Sequence, residues 1–502
     1  MKRLSALKIT LAFILVTMLA LTVSGAGFAA STVKTLSTNF TLVNLGSDPA
    51  TGTIEYYKDD GTPWAVDTAN TSFSLAPNGG QVQIRQYFDS TMSTGKGSVV
   101  VNSSQQLGAV VQILARGQTP TSGAYKGFSD ADVSTKFYVP IVASRGNSSS
   151  GTVNSQIIVQ NASLTTLSDI TIDLISLAGT LDYTKHIPSL AQGISYYYDL
   201  ADETNLPPGW FGSAVVTASD KITVVNNLFL GPDALQSFNA FPQGSITTDW
   251  LVPSFFSRLT NGLSAVVTVQ NLSGSTISAH TLILNCNKDV NSGGQASISV
   301  DNPSNILDKA SYNFNAVTDA RFPANWYGSC SISAPGGVVV IVQLRYVGAP
   351  NNNGAAGYEA IPAGGTDKTM FVPLIAKRLS NGFATVVTIQ NLNTSNSTTV
   401  TLNYVPSSTE CPVTICDINH DGSVGSDDEI TISNVSISAG GSIMRNHRLS
   451  SGPNSEVALP DGWVGSLQIV SASQPINGFV QLTNYINTTG DTFMAHDVFT
   501  QP

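Results

Sequence analysis

The chain repeats itself, and an internal repeat limits the possible folds more than any single motif does. Trp250-Leu-Val-Pro253, Ser257-Arg258-Leu-Thr-Asn261-Gly262 and Val266-Val-Thr-Val-Gln270-Asn271-Leu272 return as Met370-Phe-Val-Pro373, Lys377-Arg378-Leu-Ser-Asn381-Gly382 and Val386-Val-Thr-Ile-Gln390-Asn391-Leu392, 120 residues later. An earlier copy reads Phe137-Tyr-Val-Pro140, Ser144-Arg145-Gly146 and Ile157-Ile-Val-Gln160-Asn161, and a fainter first copy keeps Phe40-Thr-Leu-Val-Asn44-Leu45. Each of the last three copies carries a second landmark: Leu206-Pro-Pro-Gly-Trp210-Phe-Gly212-Ser213, Phe322-Pro-Ala-Asn-Trp326-Tyr-Gly328-Ser329 and Leu459-Pro-Asp-Gly-Trp463-Val-Gly465-Ser466. The first copy keeps only Gly97-Ser98 of it.

Between Gly, Pro, Asn and Asp turns the apolar residues alternate, as in Ala265 to Leu272 and Thr385 to Leu392. A period of two means strands with one buried face. The expected fold is all-β: four tandem antiparallel β-sandwich domains of immunoglobulin-like size after a signal peptide. A barrel or a jelly roll fits the same pattern. The boundaries read as a leader at 1–30 and repeats at 31–134, 135–246, 247–366 and 367–502. Short linkers near Ser134, Ile246 and Gly365 predict a rod. Trp210, Trp326 and Trp463 are expected to plug the sandwich cores rather than to stack on a ligand, because Trp buries a large area and tolerates a wet edge at its N–H. Gln160, Gln270 and Gln390, each followed by Asn, are expected to satisfy backbone groups at a strand end.

The leader has Lys2, Arg3 and Lys8, an apolar run from Ile9 to Val23, and small residues from Ser24 to Ala30. That order reads as a secretory signal peptide; a retained signal anchor is the other reading. No other stretch is apolar enough to span a bilayer. The net charge is −10 with only 11% charged residues, which argues against nucleic acid as a partner. Export favours disulfides over catalytic thiols. The natural pairs are Cys411 with Cys416 and Cys286 with Cys330, contributing about 2 and about 4 kcal/mol respectively in a chain-entropy account.

One stretch carries chemistry. Within an insertion at 411–428, Asp417, Asn419 and Asp421 take positions one, three and five of a twelve-residue loop, with Gly422 at six, the carbonyl of Ser423 at seven and Asp428 at twelve. Ca²⁺ takes six to eight hard oxygens, and this spacing wraps them around an ion. The loop resembles the calcium loop of dockerin modules at Asp417, Asn419, Asp421, Gly422 and Asp428. Only one loop is present and a strand-like segment follows it, so the resemblance implies a structural calcium rather than cohesin docking.

No Gly-x-Ser-x-Gly, His-Glu-x-x-His or phosphate-binding loop occurs, and the five histidines fall at non-equivalent places. The expectation is no enzyme. Through its Val-Pro starts, Val-Gln-Asn-Leu strands and Leu-Pro-x-Gly-Trp-x-Gly-Ser turns, the mature chain resembles the tandem immunoglobulin-like repeat regions of secreted or surface proteins in filamentous bacteria of the Chloroflexota type. The resemblance implies a stalk, coat or adhesive module. The expected function is a non-catalytic, secreted or cell-surface structural or adhesive protein, with cell-surface or matrix components as partners. The alternatives are a carbohydrate-binding protein using Trp64, Tyr196, Tyr197 and Tyr198 on glycans, and a filament, sheath or coat subunit that pairs with copies of itself.

Overall fold

A computed structural model describes residues 36–115, 121–148, 151–289, 291–348, 354–484, 486, 490–491 and 493–501. The leader expected at 1–30 lies outside these residues. Among them, no helix is long and apolar enough to cross a membrane. The fold is all-β and antiparallel.

The fourth repeat shows the plan. One sheet runs in the order Ile430–Ile437, Thr398–Pro406, Val464–Ser471, Thr369–Ala376, Phe499–Gln501. The facing sheet runs Ser442–Asn446, Phe383–Asn391, Ile476–Asn484, Phe493–Asp497. Repeats two and three use the same order, but their landmark strand continues into the next one as Trp210–Leu230 and Trp326–Tyr346, which joins the two sheets. The first repeat has three strands in one sheet and four in the other, the latter ordered Gln81–Ile84, Leu36–Asn44, Leu107–Ala115, Thr121–Lys126.

The landmark works by close approach. A Cβ on Gly97, Gly212, Gly328 or Gly465 would sit 1.9 to 2.1 Å from a backbone carbonyl of the neighbouring strand. In the last three repeats it would also strike the ring of Trp210, Trp326 or Trp463, and all three rings are buried. The first repeat lacks the landmark Trp and lays Trp64, from a different part of the chain, against Gly97. The Arg of the second motif holds the loop that leads into the Trp. Arg258 donates to the carbonyls of Ala316 at 2.6 Å and Asp319 at 3.1 Å and also bonds that of Phe322. Arg145 bonds the carbonyl of Leu206 in the same way.

The Gln-Asn strand ends donate to turn carbonyls, while Gln270 Oε1 and Gln390 Oε1 stay buried without a partner. Asn44, Asn161, Asn271 and Asn391 each donate twice to turn carbonyls, for example Asn271 to Ser275 at 2.7 Å and Ile306 at 2.9 Å. Gln160, Gln270 and Gln390 donate to the carbonyls of Gly193, Lys309 and Gly440. Buried amides of this kind need such partners.

The repeats do not form the rod that their linkers suggested. They close into a cycle. The closing strands Thr121–Lys126, Ala234–Asn239, Ala355–Glu359 and Phe493–Asp497 each contact the next, and the fourth contacts the first. Residues 36 to 502 cluster as one compact unit. The landmark Ser is the latch. Ser98 donates to the carbonyl of Gly193, Ser213 to Lys309, Ser329 to Gly440 and Ser466 to Gly79, at 2.5, 2.6, 3.5 and 2.6 Å. Every bond runs from one repeat to the equivalent turn of the next, and the last returns to the first. The seams are also apolar: Val43, Val110 and Ala124 of the first repeat share a core cluster with Phe371, Met494 and Phe499 of the fourth. Contact with Ser134–Ser144 of the second repeat explains why Leu263–Asn271 is buried along its whole length, where alternation predicted one buried face.

Candidate functional site

The insertion in the fourth repeat sits between the outer strands Thr398–Pro406 and Ile430–Ile437. It opens with a short helix, Val413–Cys416, after Pro412, whose fixed φ suits a helix start. Cys411 and Cys416 bridge that turn as a disulfide. They pack in the same core cluster as Trp463, so the bond ties the insertion's entry to the landmark. In the third repeat Cys286 and Cys330 stand directly opposite on paired strands and are also bonded.

The loop brings Asp417, Asn419, Asp421, Ser423 and Asp428 together. The Asp417 carboxylate accepts the N–H of Asp421 at 3.0 Å and of Gly422 at 2.9 Å. Asp421 accepts the N–H and the hydroxyl of Ser423 at 2.9 and 2.8 Å, and the hydroxyl bond above all holds its carboxyl below the usual range. Asp428 closes the loop by accepting Ile418 N–H at 2.7 Å, Asn419 N–H at 3.2 Å and Gly425 N–H at 2.9 Å. The Gly425 bond contributes most to lowering its carboxyl's pKa. His420 and Gly422 turn the chain at φ of 61° and 93°. A Cβ at Gly422 would meet nothing within 4 Å, so glycine serves the backbone angle there.

The donor types fit Ca²⁺: carboxylates, an amide oxygen and a carbonyl. As placed, the carboxylates are bonded to backbone N–H groups, and no three His, Cys, Asp or Glu side chains converge as a metal-holding group among the described residues.

Neither family models nor curated protein sequences match the chain. Among solved structures, a crystal structure of Thermotoga maritima 1070 is similar over 22% of this chain and 95% of its own, at 10% identity and a TM-score of 0.19. A serine-rich repeat protein from Streptococcus agalactiae is similar over 80% of this chain and 86% of its own, at 9% identity and a TM-score of 0.09. Likeness this slight carries no argument about fold or function.

The aromatic residues expected to meet glycans are not gathered on one exposed face. Trp64 is half-buried and its N–H donates to Ser93. Tyr197 donates to the carbonyl of Gly97 across the seam between the first two repeats. Tyr198 is buried and donates to Glu203 at 2.7 Å.

Sequence reasoning missed the centre of the cycle. Asp491 is fully buried and touches all four repeats. Its carboxylate accepts the N–H groups of Leu235, Ala355 and Phe493 at 2.8, 3.1 and 3.2 Å, and its carbonyl accepts the Ser122 hydroxyl at 3.1 Å. Nearby, equivalent positions of the closing strands cap one another. Asn239 accepts Lys126 N–H at 3.1 Å, Glu359 accepts Asn239 N–H at 2.8 Å and Asp497 accepts Glu359 N–H at 3.1 Å. Lys126 accepts Asn239 Nδ2 through its carbonyl at 2.8 Å, and its side chain, which has no acceptor, adds positive charge near Asp497. Nothing in the sequence near Asp491 announces this role.

Proposed function

We propose that the chain is a non-catalytic structural and adhesive protein, secreted or held at the cell surface, whose four repeats make one closed, stiff platform. The observation that carries this reading is the cyclic latch, in which each landmark Ser bonds the next repeat and the last bonds the first. Four hydrogen-bonded seams, with apolar packing across the one that joins the fourth repeat to the first, favour a body that holds its shape under load rather than one that opens and closes around a substrate. Two of the histidines support the non-catalytic reading, since His447 and His496 are buried and spend a ring nitrogen on a backbone carbonyl. Closure also covers the closing strands, which leaves outer strands such as Ser297–Asp301 as the edges for pairing with another copy.

In the same reading, Ca²⁺ binds Asp417, Asn419, Asp421, Asp428 and the Ser423 carbonyl and stiffens the outermost hairpin of the fourth repeat. The test of the whole proposal is location. Antibody raised against residues 36–501 should find the protein in the medium or on the envelope of fractionated source cells. Protein confined to the cytosol would overturn it.

A further inference from the structure

The four seams are equivalent in plan but not in charge. Each closing strand brings one equivalent side chain to the cycle: Lys126, Asn239, Glu359 and Asp497, opposite Val110, Val225, Ile341 and Phe479 on their partner strands. Only the step from repeat three to repeat four sets two acids side by side. The same seam has the longest latch, Ser329 to Gly440 at 3.5 Å, where the other three lie at 2.5 or 2.6 Å.

Asp497 is 8% exposed, and its Oδ2 accepts the Glu359 N–H at 3.1 Å. Its Oδ1 is buried and receives no hydrogen bond. The Glu359 carboxyl lies within hydrogen-bonding reach of the Asp497 carboxyl, and its own Oε1 already accepts the Asn239 N–H at 2.8 Å. Two ionised carboxylates cannot bond each other, because neither has a donor. Like charges held together away from water are costly, and one retained proton removes both problems. Burial above all, and then Glu359, hold the Asp497 carboxyl well above the usual carboxylate range. The charged and titratable groups around the pair are Lys126, Tyr358 and His496. Lys126 favours the ionised form of Asp497, but its ammonium sits over the Phe499 ring, 4.9 Å from the centroid. Tyr358 donates to the Ser254 carbonyl at 2.6 Å, and His496 bonds the Asp497 carbonyl through Nδ1 at 3.0 Å. The neighbouring strands Ala234–Asn239 and Ile476–Asn484 carry no titratable residue. Asp491 precedes the same closing strand, where its carboxylate already accepts three N–H groups.

We infer that Glu359 and Asp497 share one proton across the seam between repeats three and four, and that losing it to solvent as the pH rises loosens the cycle at that seam. A carboxyl whose pKa is higher in the folded than in the unfolded chain lends its stability in acid and withdraws it as the pH climbs through the folded value. The clasp therefore closes in acid and opens in base, opposite in sign to a histidine buried neutral. The inference adds to the adhesive reading a pH range in which the platform stays closed. It is tested on pure protein, independently of where the cell puts the chain.

The experiment compares the chain from residue 31 onward with its Asp497→Asn variant by amide hydrogen exchange between about pH 5 and 9, corrected for the intrinsic rate at each pH. Asn keeps an oxygen for the Glu359 N–H, and its NH₂ stands where the shared proton would be. Other titrating groups are common to both proteins and cancel in the ratio. The opening constant of the segments 355–359 and 493–497, parent over variant, should rise with pH by up to about tenfold per unit while the proton leaves. The closing strand 121–126, which holds no acid, should show a smaller rise. If Asp497→Asn does not fold, Glu359→Gln replaces it with the same expectation, since its amide keeps an acceptor for Asn239 and offers a donor to Asp497. A ratio that stays level across the range would overturn the inference. So would a ratio that falls as the pH rises, or a rise at 121–126 equal to that at the two acidic strands.

Discussion

At the residue scale, the fold depends on positions where one atom decides. Gly328→Ala would place a methyl 2.0 Å from the Asn287 carbonyl. Overpacking of that kind costs about 1–3 kcal/mol, to be read from urea unfolding. Gly293→Ala has nothing within 4 Å and is the control, expected to change stability by less than about 0.5 kcal/mol. Asp491→Asn should destabilise by about 1–3 kcal/mol. Both oxygens of Asp491 accept N–H groups, so the amide NH₂ of Asn would face a donor. The buried histidines set an acid limit. His447 donates from Nδ1 to the Thr385 carbonyl at 3.0 Å, which leaves Nε2 to accept from Tyr404 at 3.1 Å. Burial pushes its pKa down to about 3, and that of His496 to about 4. Both stay neutral in the folded state while the unfolded chain takes up protons below about 6.5. Stability from each is therefore intact above pH 6.5 and is lost as pH falls towards about 4 and about 3. Each contributes a slope of at most about 1.4 kcal/mol per pH unit. His447→Gln should reduce the slope of denaturation free energy against pH between 6 and 4, and an unchanged slope would refute the assignment.

At the scale of elements, the insertion is the part whose stability should respond to solutes. With calcium bound only by the folded loop, a concentration one hundred times Kd stabilises by about 2.7 kcal/mol. A chelator should then lower the first thermal transition of the mature chain, and Asp421→Ala should abolish that difference. Equal melting curves with and without chelator would remove calcium from the account. The landmark strand teaches a different lesson. Its Gly, Trp and Ser look like one motif, but they do separate jobs. Gly admits the neighbouring carbonyl, Trp fills the core, and Ser leaves the repeat altogether to bond the next one. The first repeat kept the Gly and the Ser and recruited Trp64 to the ring's place. The close approach and the latch are thus retained where the Trp is not.

At the scale of the molecule, closure predicts size and cooperativity. A compact chain the length of the body from Leu36 to Gln501 has a radius of gyration of about 23 Å, and X-ray scattering should return a value near this. Four sandwiches in line would be far larger. Removing residues 367–502 should expose the apolar seam at Val43, Val110 and Ala124, so the truncated chain should self-associate in light scattering, where four independent beads would not.

The sequence by itself determined the repeat, its all-β character, the Gln and Asn strand ends and the tight loop from Asp417 to Asp428. These depend on local spacing: a period of two, fixed turn residues and twelve consecutive positions. Only the tertiary structure decided that the four units close on one another. The latches join a common hydroxyl to a backbone carbonyl, and any residue can present a carbonyl. Three of the acceptors are glycines and the fourth is Lys309, all at positive φ, so the turn's backbone and not a side chain presents the carbonyl. Asp491 was equally silent, because its partners are three N–H groups from three repeats. A contact whose chemistry lies in the backbone leaves no pattern in the order of the side chains, so the cycle appears only once the chain is folded.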